Sequence, residues 1–74
     1  MTIETVRRIF DTYSTRVREE NYCNNFTFDV AYYANEILKC TERLENETEE
    51  WKRVVFEDRI NKVTKNLKRL LYRA

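Results

Sequence analysis

A chain of 74 residues without glycine, proline or histidine excludes strand-rich folds, most catalytic loops and the usual general base, since those residues supply turns, phosphate cradles and proton transfer. At 42% hydrophobic and 36% charged residues with a net charge of +1, it is too apolar for a disordered segment. No window approaches the roughly 18 apolar residues of a membrane span.

One all-α domain over residues 1–74 follows. At this size a fold hides only about 60% of the surface its unfolded chain exposes. A second copy or a partner is therefore an expected source of stability. The start Met1-Thr2-Ile3-Glu4 has neither the basic residues nor the apolar stretch of an export signal, so a soluble cytoplasmic protein is expected. The two cysteines, Cys23 and Cys40, are too far apart for a Cys-x-x-Cys motif and too few for a disulfide scaffold or a zinc site. Cys40 falls on an apolar stripe and reads as a reduced core thiol. Cys23 precedes a helix whose positive end can lower a thiol pKa, but no base accompanies it, so a structural thiol is the default.

The spacing predicts a first helix over 3–20. Its apolar residues Ile3, Val6, Phe10, Tyr13 and Val17, with Ile9 beside them, form one stripe. Thr2 is placed to cap it and Glu4 to complement its dipole. Asparagines between 21 and 25 supply a turn in place of glycine.

A second helix is predicted over 27–45, with Thr27 as N-cap and Asp29 in the first turn. Phe26, Val30, Tyr33, Ile37, Cys40 and Leu44 form its stripe, and Ala31, Ala34 and Leu38 widen the apolar arc to about half the circumference. One neighbour needs an arc of only about 100°. This helix is expected to be central, its alanines admitting close approach.

A third helix is predicted over 47–73. Asn46 with Glu49 has the spacing of a capping box, which favours a break there over one continuous rod. The triplets Asn25-Phe26-Thr27 and Asn46-Glu47-Thr48 match a glycosylation pattern but read better as helix starts. The expected architecture is thus three antiparallel helices in a small bundle, completed by self-association into a dimer.

On the third helix Phe56, Ile60, Val63, Leu67, Leu70 and Leu71 share a face that Trp51, Val54 and Val55 do not. Either helix one wraps over Trp51 within the chain, which is the plainer reading, or Trp51, Val54 and Val55 form an exposed apolar spot that binds a protein partner.

Charge is divided along the chain. Residues 1–50 hold six basic and eleven acidic groups, a balance of −5, and residues 51–74 hold eight and two, a balance of +6. Arg59, Lys62, Lys65, Arg69 and Arg73 project from one side of the third helix. Such a stripe suits a nucleic-acid backbone, although an amphipathic helix must turn something polar outward and a solvated face is the plain reading. The acidic segment Glu42, Glu45, Glu47, Glu49 and Glu50 can instead meet the stripe of another copy. A helix-turn-helix finds little support, because the turn before the last helix is acidic where bases would be read.

The one enzyme scenario gathers Glu42, Glu45 and Glu49 with Glu57 and Asp58 around Mg²⁺, and a solvated acidic junction explains the same residues more simply. No cofactor, small-molecule substrate or catalytic residue is implied. The expected function is a non-catalytic protein-protein interaction module such as an adaptor, an inhibitor or a regulatory subunit. The second candidate is a nucleic-acid-binding regulator.

Overall fold

Thr2 opens the first helix as its spacing requires: the Thr5 amide donates to Thr2 Oγ1 at 3.2 Å, satisfying one of the donors a helix start leaves open. The computed structural model describes residues 1–19 and 25–72. Within them lie α1 (Ile3–Glu19), α2 (Asn25–Asn46) and α3 (Glu50–Leu71), with no strand among the described residues. The chain is all-α. The Asn-rich turn predicted between the first two helices falls largely on 20–24, outside the described residues, as does Cys23.

α2 is the hub. It packs against both α1 and α3, while among the described residues no Cα of α1 comes within 8 Å of one in α3. Its arc explains this arrangement: Val30, Ala31, Ala34, Ile37 and Cys40 are all buried, and a buried arc that wide needs a neighbour on each flank. Ala34, with no side chain beyond Cβ, is fully inaccessible at 0% exposure. Val6 of α1 and Val63 and Leu67 of α3 complete the core, with Ile9, Phe10, Tyr13, Ile60, Leu70 and Leu71 packed around it.

Residue pairings run in opposite chain directions. Arg53 reaches Leu44 and Arg59 reaches Glu36 across α2 and α3. Tyr13 near the end of α1 meets Phe26 at the start of α2, with ring centroids 6.2 Å apart and planes at 75°. This edge-to-face geometry is favoured by the ring quadrupoles. The molecule is elongated, with a radius of gyration of 13.2 Å against about 11.3 Å expected for a compact domain of this length.

Two capping assignments are corrected. α2 begins two residues earlier than its sequence suggests, so Thr27 is buried inside the first turn instead of capping it, and Asp29 falls beyond that turn. At the break between α2 and α3, Asn46 is the last residue of α2 and its amide donates back to the Glu42 carbonyl at 3.0 Å. Glu49, the N-cap of α3, makes no side-chain cap bond. Glu47 instead folds back on the turn, its Oε1 accepting the Thr48 and Glu49 amides at 3.1 Å each, both ahead of the first helical residue. A carboxylate there also suits the positive end of the helix dipole. Ile3 and Phe26, counted on apolar faces, are 39% and 41% exposed, because a stripe loses cover at the helix ends.

Arg53 fastens this junction. Its Nη1 donates to the carbonyls of Leu44 at 3.1 Å and Glu47 at 3.0 Å, serving the end of α2, where carbonyls lack helical partners. Charge-assisted bonds to half-buried carbonyls are each worth about 1–2 kcal/mol. Arg53→Ala is therefore expected to lower unfolding free energy by about 1–3 kcal/mol in urea titration. An unchanged midpoint and slope would contradict this role.

Candidate interaction surface

The core of α3 lies on one side, with Val63 and Leu67 buried and Phe56, Ile60, Leu70 and Leu71 half-buried. A rotation of 100° per residue then fixes what faces water. Trp51, Val54 and Val55 are 65%, 55% and 53% exposed. The reading in which helix one wraps over Trp51 is overturned: α1 packs on the other flank of α2 and does not reach the start of α3. The cation that meets the Trp51 ring comes from the next residue. Lys52 Nζ sits 5.5 Å from its ring centroid while pairing with Glu49 at 3.0 Å, a cation over one face of the indole.

The basic residues Arg59, Lys62, Lys65 and Arg69 all face solvent, and Arg73 lies outside the described residues. Two are already paired. Arg59 Nε donates to Glu36 Oε2 at 3.4 Å, and this hydrogen bond, followed by the carboxylate's charge, raises the arginine pKa above its ordinary value. Lys62 pairs with Asp58 at 3.0 Å. Lys65 and Arg69 make no ion pair among the described residues. The stripe is thus less positive than its cation count suggests, and Asp58 borders its start.

The fold adds aromatic neighbours that the linear pattern does not show. Phe28 and Tyr32, 54% and 48% exposed, stand on the outward side of α2 with rings nearly parallel at 18° and centroids 6.4 Å apart. On one side they border a groove of about 370 Å³ against α1, floored by Ala31 and edged by Phe10, Ser14 and Arg18. On the other, Tyr32 and Tyr33 line a second groove with Glu36, Val55, Arg59 and Lys62. The outward-facing positions 28 and 32, four residues apart, carry this signal in the sequence, but aromatic residues in an apolar-rich helix are normally read as core.

Chemistry is sparse on this surface. Among the described residues no group of three or more His, Cys, Asp or Glu side chains can hold a metal ion, so Glu42, Glu45, Glu49, Glu57 and Asp58 are not gathered into a site. Cys40 is buried in the core as a free thiol, 4.0 Å from Glu36 Oε2. No described helix is long and apolar enough to cross a membrane. No protein-family model, curated protein or solved structure matches the chain.

Exposure separates the two apolar groups energetically. In dilute solution Trp51→Ala is expected to change unfolding free energy by no more than about 0.5 kcal/mol, as surface substitutions do. Leu67→Ala should cost about 2–5 kcal/mol by opening a cavity. Urea denaturation of both variants checks this, and a Trp51→Ala loss comparable to that of Leu67→Ala would place the indole inside the fold.

Proposed function

We propose that this chain is a small non-catalytic interaction module, an adaptor, inhibitor or regulatory subunit, whose contact surface is the outward side of α3 around Trp51, Val54 and Val55. One observation carries the reading: three large apolar side chains stand more than half exposed at the start of a helix whose core is complete without them. Tryptophan is among the residue types most enriched as interface anchors, and burying one contributes about 2 kcal/mol or more to binding, while Val54 and Val55 extend the exposed apolar patch beside it. Self-association belongs to the same reading, since a chain of this size gains stability from added buried surface. The proposed setting is the cytoplasm, where a buried thiol such as Cys40 stays reduced.

A second reading has its own observation. Tyr32 and Tyr33 border the groove that Arg59 and Lys62 also line, so aromatic rings lie beside cations as in single-strand binders. The pairing of those two cations with Glu36 and Asp58 weighs against it, because phosphate would have to compete with carboxylates already in place.

Capture from nuclease-treated lysate, comparing the native chain with a Trp51→Glu, Val55→Glu variant of unchanged helical circular dichroism, tests the first reading. The native chain should retain specific proteins that the variant loses, an affinity drop of about 30-fold or more. Equal retention by both would reject it. Retention on DNA or RNA that falls steeply with salt and is lost in Lys62→Glu, Lys65→Glu, Arg69→Glu would support the second reading, and no retention at low salt would end it.

A further inference from the structure

The outward side of α3 has an order of its own. Trp51, Val55, Asp58, Lys62, Lys65 and Arg69 are all exposed and follow one another at steps of four, three, four, three and four residues. These five steps average about 3.6 residues, one turn of an α-helix, which keeps the six side chains in one line along its outer side. The inner stripe packs on α2; among the described residues no helix packs over this outer one.

The line is polarised. Its first half carries Trp51, Val55 and Asp58, with Glu50 beside them, and its second half carries Lys62, Lys65 and Arg69. A helix laid alongside in the same direction would set cation against cation. Laid in the opposite direction, a copy of the same helix sets each half against its complement. A two-fold contact between identical chains requires this reciprocity, since whatever residue i meets must itself meet i.

We infer that the outward side of α3 seats a second copy of this chain, packed antiparallel about a two-fold axis near residue 60. This rests on the reading of that side as a contact surface and names its occupant. Residue 60 lies close to the middle of Glu50–Leu71, so this register overlaps the helices over nearly their whole length. Trp51 then faces the partner's Arg69, Val55 the partner's Lys65, and Asp58 the partner's Lys62. Each contact has a physical basis. An arginine stacks on the open face of the indole, the opposite face being occupied by Lys52. The lysine's methylene stem covers the valine while its ammonium stays in water. Asp58 and Lys62, already paired at 3.0 Å within one helix, join the same two residues of the copy in a central ring of alternating charge.

The chain is also more open to water than its mass requires. The chain exposes 5729 Å², against about 4,900 Å² expected for a compact monomer of this mass. The excess, about 800 Å², accompanies the elongated shape of the molecule, which leaves more surface open to a partner than a compact domain would.

Sedimentation equilibrium across a concentration series, with Trp51 fluorescence on the same samples, tests the assignment. At low salt the mass should rise to twice the 9.2 kDa of one chain as emission shifts to shorter wavelength, and added salt should reverse both changes. Asp58→Lys or Lys62→Glu alone should weaken association at least about tenfold, the size expected for like charges brought together at an interface. The two combined should restore it, and helical circular dichroism and the urea midpoint of each single variant at monomeric concentration should match the native chain, so that the loss is read as association and not as unfolding. A chain that stays monomeric at every concentration, or a dimer that neither the substitutions nor burial of Trp51 affects, would overturn the second-copy assignment. Neither result bears on whether other proteins bind through Trp51 and Val55, which the capture comparison decides independently.

Discussion

Everything in this fold depends on α2 being apolar on two flanks at once. Val30 and Ala34 at its centre are wholly inaccessible, and burying that arc requires one helix on each side. α1 and α3 are therefore held by α2 and not by close backbone contact with each other. The same constraint explains the elongated shape. It also explains why, among the described residues, no helix lies above the outer side of α3: α1 is committed to the opposite flank of α2.

The junction between α2 and α3 fixes how that outer side is presented. Glu47 ties the turn ahead of α3, and Arg53, one turn into α3, closes over the end of α2. Trp51 lies between these two anchors in sequence, at a point where the backbone is held from both directions. An apolar side chain on rigid backbone loses little conformational freedom on binding, which is what an interface anchor needs. The charge division has a similar logic, since the acidic start and basic end of one helix both complement its dipole and give the surface a direction.

Much of the fold was legible in residue spacing. The three-and-four-step stripes located all three helices, and the wide arc bearing Ala31 and Ala34 marked α2 as central. Cap identities were not legible, because Asn46 and Glu49 have the capping-box spacing while Glu47 actually accepts the amides. Short polar residues compete for the same donors, and the winner is decided by a backbone direction that spacing does not encode. Arg53 was invisible for a different reason: its carbonyl partners come from the preceding helix and its turn. For the candidate site, phase alone separated Trp51, Val54 and Val55 from the inner face of α3, yet it left open whether α1 covered them. That depended on which flank of α2 each neighbour takes. Phe28 and Tyr32 were missed because aromatic residues in an apolar-rich helix are ordinarily buried.

The most direct test of an open outer side on α3 is collisional quenching of the single tryptophan by iodide and by acrylamide, in dilute solution at high salt where copies are apart. With Trp51 at 65% exposure, both quenchers should approach their efficiency toward a free indole, apart from the shielding that Lys52 gives one face. Emission at short wavelength that neither quencher reaches would mean the indole is enclosed by its own chain, and the surface described for α3 would not exist.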